Sequence, residues 1–298
     1  LAVCGGIDLT YDRWDTRDHL EEDPRRVNWP GNVHGPWHDI TVMMEGPVAR
    51  ALFDLCDTRW QVAGGKPLDR PDPPARSPWP EELEAAFEDV EIGLSRTRAP
   101  NGEVTEVREV EELFLAHIAR ARRFLYIENQ YFTSRKIGEA IAARLAEDDP
   151  PEIVLVHPEH ADGHVEQLAM DHARDLMVAT VREADRHNRF GIYLTMTGET
   201  PIYVHAKLMI VDDEVLRIGS SNLNNRSLGL DSECDTVLDT TRPHNAGRGL
   251  EDRIKAIRLS LLAEHCGCST EQIAAAIENE GSMQAAIARF DTGRRRLQ

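Results

Sequence analysis

The sequence predicts an α/β fold, a mixed β-sheet flanked by helices on both faces and built as two similar lobes with a site at their interface. Apolar runs of strand length alternate with helical periodicity through the second half of the chain, which is typical of layered α/β domains. A short strand followed by glycine occurs at residues 2–6 and again at residues 217–219. This internal similarity indicates two related halves.

The N-terminal part predicts two short strands and one helix. Residues 1–4 read as the end of a strand, and residues 40–44 as a second strand. Pro47 suits the first turn of a helix, which is expected to run to about residue 60. Apolar residues recur in it at helical spacing, at Val48, Leu52, Leu55 and Cys56.

A proline-rich stretch then separates two parts of the chain. Residues 64–80 contain six prolines together with Gly, Asp and Arg, a composition typical of a linker or a long surface loop. We therefore expect residues 1–100 to be the remainder of an N-terminal lobe plus the linker. Residues 101–298 are expected to form a complete C-terminal lobe ending in helices.

The second half predicts a regular alternation of elements. Helical apolar faces are expected around residues 110–118, 137–145 and 165–186, and helices again from about residue 249. Short apolar runs bounded by polar residues predict the strands. These strands are expected at residues 124–127, 153–156, 192–196, 202–211, 215–218 and 234–238.

Composition limits the possible functions. Lys plus Arg is 34 and Asp plus Glu is 52, so the formal net charge is −18. A surface this acidic repels nucleic acid unless it hides a basic patch, and no apolar run approaches the length of a membrane helix. We expect no nucleic-acid partner and no transmembrane segment, and a cytoplasmic or peripheral-membrane location is favoured.

Cysteine and histidine spacing predicts neither a disulfide framework nor a metal site. Five cysteines, an odd number, are spread along the chain, as expected of reduced thiols. His160 and His164 could share a helix face, but no Cys or acidic partner completes a set of ligands. We therefore expect no metal and no other cofactor.

The residues that indicate chemistry lie between positions 205 and 222. In a strand, His205 and Lys207 point to one face while the apolar residues between and around them point to the other. Asp212 ends this strand, and Ser220 and Asn222 follow the returning strand. An ammonium, a protonatable ring and neutral hydrogen-bond donors close together suit a phosphodiester substrate.

These residues fit H-x-K-x(4)-D-x(6)-G-S-x-N at every fixed position, and this pattern resembles the signature of the phospholipase D superfamily. The segments at 5–15 (G-G-I-D-L and R-W-D), 36–40 (P-W-H-D-I) and 126–132 (Y-I-E-N-Q-Y-F) also resemble that family. Their wording is closest to the phosphatidylcholine-hydrolysing branch. The match at residues 5–15 resembles the tail of the first of the family's two motifs, so the chain is expected to be a fragment lacking that motif's His and Lys.

The resemblance implies hydrolysis of glycerophospholipids such as phosphatidylcholine, at a membrane surface, to phosphatidic acid and an alcohol. The reaction would proceed through a phosphohistidine, with the first motif's His as nucleophile and His205 as general acid and then base. Asp212 or Glu233 would fix the tautomer of His205. Ser220, Asn222, Glu233 and Asp8 would support or bind the phosphate.

Other functions remain open at this stage. One alternative is a phosphatidyltransferase resembling cardiolipin synthase, and another is a nuclease of the family, which the acidic charge disfavours. A third is a non-catalytic relative that acts as an interaction protein. If the first-motif His is the nucleophile, these 298 residues alone are expected to be inactive or nearly so. The sequence leaves the oligomeric state and the choice between hydrolysis and transphosphatidylation undetermined.

Overall fold

A ten-stranded mixed sheet forms the centre of the molecule. The computed structural model describes residues 1–8, 10–72, 74–102, 104–161 and 164–298, and the side chains of all of these except 164–169. The strands are β1 (Ala2–Gly5), β2 (Trp37–His38), β3 (Thr41–Met44), β4 (Ile92–Arg98), β5 (Val107–Arg108), β6 (Phe124–Asn129), β7 (Glu152–His157), β8 (Phe190–Thr197), β9 (Thr200–Pro201), β10 (Tyr203–Val204), β11 (Lys207–Val211), β12 (Val215–Gly219), β13 (Glu233–Asp239) and β14 (Arg295–Leu297). The helices are α1 (Pro47–Val62), α2 (Glu109–Arg120), α3 (Arg135–Leu145), α4 (His164–Ala184), α5 (Asn225–Gly229), α6 (Leu250–Cys266), α7 (Thr270–Glu280) and α8 (Met283–Ala288).

The order of strands in the sheet is β14-β8-β7-β6-β11-β12-β13-β4-β5, and β9 pairs with β8. β6, β7 and β8 run parallel to one another, and helices α3 and α4 connect them, as parallel neighbours require. β11, β12, β13 and β4 form an antiparallel series beside them. This mixed sheet confirms the α/β fold class.

Two apolar cores lie on opposite faces of the sheet, and β11 contributes to both. Leu208 and Ile210 pack with apolar residues of α6, α7 and α8, whereas Met209 and Val211 pack with those of α2, α3 and α4. The alternation follows from the two-residue period of a strand. Because β11 is covered on both sides, its five residues are all buried.

The N-terminal segment packs beside this layered unit. β1 and β3 form an antiparallel pair, and α1 contributes Leu52 to a small apolar cluster with Cys4 and Met44. β2 pairs in parallel with β10. The repetition of the fold in a second lobe, and the division of the chain at residue 100, stay predictions.

The structure differs from the expected elements in two instructive places. The strand expected over residues 202–211 is interrupted, because β10 pairs with β2 whereas β11 pairs with β6 and β12. β4 lies N-terminal to residue 100 yet pairs with β13 over six positions. The last strands of the large sheet are therefore built from chain on both sides of the expected boundary.

The remaining expectations concern cysteine and membrane helices. Each of the five cysteines is a free thiol. Within the part of the chain that the structure describes, no helix combines the length and the apolar character needed to cross a membrane.

Candidate functional site

His205 lies in the interruption between β10 and β11, where the chain changes its pairing partner. Its backbone N–H donates to the carbonyl oxygen of His38 at 2.8 Å. The position of His205 is thus fixed by β2, from the N-terminal segment, as well as by its own strand.

The imidazole of His205 is oriented by Asp39. Nδ1 of His205 lies 2.9 Å from Oδ2 of Asp39, and the two side chains are 12% and 5% exposed. A carboxylate only accepts hydrogen bonds, so Nδ1 carries the proton in this contact, which leaves Nε2 to act on a substrate. The expectation that Asp212 or Glu233 fixes the tautomer of His205 is wrong, because Asp39 occupies that position.

Lys207 begins β11 and is buried beneath the loop that follows β1. Its Nζ donates to Oε1 of Gln130 at 3.0 Å and also to the carbonyl oxygen of His205. A Cβ on Gly6 would lie only 2.5 Å from Cδ of Lys207, so glycine is what allows the loop to cover it. Burial lowers the pKa of Lys207 to about 8, and the nearby carboxylates of Asp39, Glu233 and Asp8 oppose that lowering.

Two hydrogen-bond donors of the site share one acceptor, the side-chain oxygen of Gln130. Its Oε1 accepts from Nζ of Lys207 at 3.0 Å and from Nδ2 of Asn222 at 3.3 Å. Its Nε2 donates to the hydroxyl of Tyr203 at 3.0 Å. Oδ1 of Asn222 is buried without a hydrogen-bond partner among the described residues. Two donors aimed at one acceptor oxygen are the arrangement that could hold an oxygen of a phosphate.

Ser220 and Glu233 form a second pair of polar groups, and Glu233 is close enough to Lys207 to act on its pKa. The hydroxyl of Ser220 donates to Oε2 of Glu233 at 2.5 Å. Burial raises the pKa of the Glu233 carboxyl, against the lowering effect of that hydrogen bond. Asp8 is mostly exposed and lies 3.5 Å from Arg13.

Asp212 lies at the far end of β11, in the turn to β12, and not with these groups. Its Oδ1 accepts from the backbone N–H groups of Arg123 and Phe124, and its Oδ2 from that of Arg122, each at 2.8 Å. It therefore fastens the β11–β12 turn to the start of β6. This corrects its expected place among the catalytic residues, because five strand residues separate it from His205.

Aromatic rings flank His205 on one side. The ring of Trp37 lies 5.3 Å from that of His205 and stacks on Tyr203 at 4.5 Å. The guanidinium of Arg13 lies 4.2 Å above the Trp37 ring. One face of the Trp37 ring is therefore already occupied by the guanidinium of Arg13, in a cation–π contact.

A cavity of about 1040 Å³ borders the site at Gly5, Ser220 and Glu233. Apolar residues of β1 and α1 form much of its wall, among them Ala2, Leu52 and Leu55. The site therefore opens toward a space with an apolar side.

A second group of titratable residues lies behind Asp39. His38, its neighbour in β2, is buried between Glu128 and Glu264. Burial alone would lower the pKa of His38, but these two carboxylates raise it to about 10. Glu264 has a pKa far below its usual range because the hydrogen bonds from His19 and His38 outweigh its burial.

The sequence supplied His205, Lys207, Ser220, Asn222, Glu233 and Asp8, and the structure brings the first five close together, with Asp8 on the covering loop. The sequence reasoning missed the roles of Asp39, Gln130 and Tyr203. The P-W-H-D and E-N-Q segments that contain two of them were visible, but nothing local indicated contacts across 166 residues. Of the His160–His164 pair, the side chain of His164 lies outside the described residues, and His160 is exposed beside Asp171 at 2.9 Å.

Comparison with known families gives a match to the family model described as Phospholipase D, over residues 169–286. That range contains His205, Lys207, Ser220, Asn222 and Glu233. The complete motif and the strands and helices around it therefore lie inside the matched region.

Curated relatives extend the likeness to most of the chain. "Phospholipase D alpha 1" of Nicotiana tabacum is 25% identical over 91% of this chain and 46% of its own length. The protein of the same name from Zea mays is 26% identical over 90% of this chain and 46% of its own length. The chain thus spans about half the length of the curated relatives that it matches.

Solved structures give more distant matches. NucT from Helicobacter pylori is 16% identical, with a TM-score of 0.36 over 55% of this chain and 96% of its own. Nuc from Salmonella typhimurium, described as a phospholipase D family member, is 20% identical, with a TM-score of 0.37 over 56% of this chain and 93% of its own.

Proposed function

Because this chain belongs to the phospholipase D superfamily, we propose that it forms the second catalytic half of a phosphodiesterase that hydrolyses phosphatidylcholine-like lipids. The observation that carries the proposal is the contact between His205 and Asp39, with Lys207 and Asn222 converging beside it. A proton donor and a charge clamp side by side are what cleavage of a phosphodiester requires.

His205 acts as the acid and then the base. In the first step the family's first-motif histidine attacks phosphorus, the bond from phosphorus to the alcohol oxygen breaks, and Nε2 of His205 gives its proton to that oxygen. In the second step water attacks the phosphohistidine, the phosphorus–nitrogen bond breaks, and His205 takes the proton of the water. Asp39 stabilises the imidazolium present before the first step and after the second.

Lys207 and Asn222 hold the phosphate. A non-bridging oxygen that replaces Oε1 of Gln130 would receive both of their hydrogen bonds. With a pKa of about 8, Lys207 carries its charge at neutral pH even though it is buried. Ser220 and Glu233 border the same space and adjust its polarity.

Two features support a phospholipid rather than another diester. The neighbouring cavity has an apolar wall that suits the acyl end of a lipid. Similarity to plant enzymes named phospholipase D alpha points the same way.

The test is release of choline from phosphatidylcholine vesicles by the whole protein in which this chain occurs. We expect His205→Ala to lower the rate by at least about 1000-fold, since a triad-type residue supplies at least this factor. His160→Ala is the matched control, because His160 is exposed and bonded to a carboxylate but remote in the chain from the site. Equal rates for the two variants would exclude the assignment of His205.

The same experiment separates the alternatives. A protein that transfers phosphatidyl groups between two lipids but releases no choline would be a phosphatidyltransferase. No turnover on either substrate, although the first motif is intact, would indicate an interaction protein. The 298 residues alone are expected to bind phosphate without turnover, because the nucleophile belongs to the first motif.

A further inference from the structure

Two histidine rings converge on one carboxylate oxygen behind the site. Nε2 of His19 lies 3.0 Å and Nδ1 of His38 lies 3.1 Å from the same atom, Oε1 of Glu264. All three side chains are buried, at 3%, 3% and 7% exposure. They come from the loop after β1, from β2 and from α6, so residues distant in sequence meet at one point.

Each ring is also held from behind by a second carboxylate. Nδ1 of His19 lies 2.8 Å from Oδ2 of Asp15, and Nε2 of His38 lies 2.7 Å from Oε2 of Glu128. A carboxylate on the remote nitrogen is the usual support of a metal-binding histidine, since it fixes the tautomer and makes the other nitrogen a better ligand.

Three carboxylates surround the two rings, at Asp15, Glu128 and Glu264. Each ring nitrogen faces an oxygen of one of them. This concentration of negative charge in a buried region favours a cation there. The other groups that face the cluster stay as they are: Arg26 on Asp15, Arg17 on Glu264, and Tyr126 and His265 on Glu128.

We propose that His19, His38 and Glu264 form a binding site for a divalent transition-metal ion, with Zn²⁺ as the representative. The three ligand atoms lie within 4.8 Å of one another. A tetrahedral ion about 2.0 Å from each ligand separates neighbouring ligand atoms by about 3.3 Å, so small shifts of the observed 3.0 and 3.1 Å contacts suffice. Two imidazoles and one carboxylate are ligands that Zn²⁺ favours.

Access and a fourth ligand come from the solvent side. A cavity of about 930 Å³ is lined by His38 and Glu264, together with Arg17 and Ser260. A water molecule can enter there and complete the tetrahedron. Because the ion lies behind β2, it would brace Asp39 and His205 without contacting the substrate. The proposal does not depend on the phosphodiesterase activity.

The experiment uses metal alone as the probe. The purified protein is stripped with a chelator and titrated with Zn²⁺ by calorimetry, and separately with Co²⁺, whose visible absorption reports four-coordination. We expect one Zn²⁺ per chain and a Co²⁺ spectrum of the four-coordinate type. The zinc-loaded protein should also melt at a higher temperature than the stripped protein.

Matched variants test the ligands. His19→Gln and His38→Gln should each weaken zinc binding by at least about 100-fold, since loss of an outer partner alone costs about 10- to 100-fold. His160→Gln, the same change at an exposed histidine paired with Asp171, should leave the affinity unchanged. If a buried variant fails to fold, the cobalt spectrum of the unaltered chain decides the question.

Three results would overturn the site: folded protein that binds no stoichiometric zinc, a six-coordinate cobalt spectrum, or binding lost in His160→Gln and retained in His19→Gln. In each case the convergence on Glu264 would be a hydrogen-bonded cluster that holds protons only.

Discussion

Replacing Asp212 should damage folding rather than chemistry. The structure uses its two carboxylate oxygens to accept three backbone N–H groups at the start of β6, each at 2.8 Å. Asp212 also has a φ of 55°, a left-handed backbone that Asn and Asp tolerate better than Ala. The shape of the β11–β12 turn therefore depends on both the carboxylate oxygens and the residue type at position 212.

The expected cost can be added from these contacts. Asp212→Ala leaves the backbone N–H of Phe124 buried without a partner, which costs about 1–3 kcal/mol. The N–H groups of Arg122 and Arg123 also lose their acceptor, but they are only partly buried and water can reach them, so each costs about 0.5 kcal/mol. The left-handed alanine adds about 1 kcal/mol. We expect a loss of about 4 kcal/mol in the free energy of unfolding. Asp212→Asn keeps one acceptor oxygen and tolerates the backbone, so about half of that loss is expected.

Urea denaturation followed by circular dichroism measures these differences, with equal slopes as the check on two-state behaviour. Asp175→Ala is the control, since its side chain is 73% exposed, and its effect should stay within about 0.5 kcal/mol. A variant Asp212→Ala as stable as the control, but unable to release choline in the whole protein, would refute the structural role and restore the catalytic one.

Three further predictions concern the site itself. Asp39→Asn should lower choline release by about 10⁴-fold, as expected when the orienting carboxylate of a histidine is lost; a loss below about 10-fold would show that the contact with His205 is incidental. Binding of inorganic phosphate should weaken as the pH rises through about 8, where Lys207 loses its proton. The pKa of Lys207 in the folded protein lies below the ordinary value of 10.5, so between about pH 8 and 10.5 the unfolded chain holds more protons than the folded one. The contribution of this lysine to the free energy of unfolding therefore becomes more favourable to the folded state as the pH rises. A phosphate affinity that stays flat up to pH 10 would contradict the role of Lys207 in binding. Gly6→Val should displace the end of the Lys207 side chain and reduce phosphate affinity by about 10-fold or more, with little loss of stability. Gly35→Val is the control, because a Cβ there meets nothing within 4 Å, and it should leave phosphate affinity unchanged. Equal affinities in the two variants would show that the loop does not set the position of the lysine.

Local patterns in the sequence were sufficient for the buried elements of the sheet. β6 and β7 each contain four consecutive apolar residues and are buried along their whole length. Their short length and their β-branched and aromatic residues favour a strand over a helix. β4 was missed because Ile92 and Leu94 are its only apolar residues, and glycine and polar residues fill its other positions. The strand also has only the two-residue β5 on its outer side. Its pairing with β13 is a long-range contact that no local period encodes.

The site was predictable in its residue types but not in its connections. His205, Lys207 and Asn222 stand out because their spacing is fixed within one hairpin and the turn after it. The partner of His205 is 166 residues away, and Gln130 joins the site only because β6 is the neighbour of β11. Because Asp212 follows the end of a strand, the sequence predicts that its carboxylate turns back toward His205. In the structure the turn instead directs this carboxylate to the backbone at the start of β6.

The interruption of the strand at His205 explains why two distant parts of the chain must combine in one site. If residues 203–211 formed a single strand of the large sheet, His205 would be as deeply packed as the residues of β11. Instead the chain leaves the sheet at β10, pairs with β2, and places His205 beside Asp39. β2 is in turn held by the contacts of His38 with Glu128 of β6 and Glu264 of α6. The motif therefore supplies the proposed reactive groups, whereas the N-terminal segment contacts them and orients His205. We expect disruption of the cluster around His38 to affect His205 through β2.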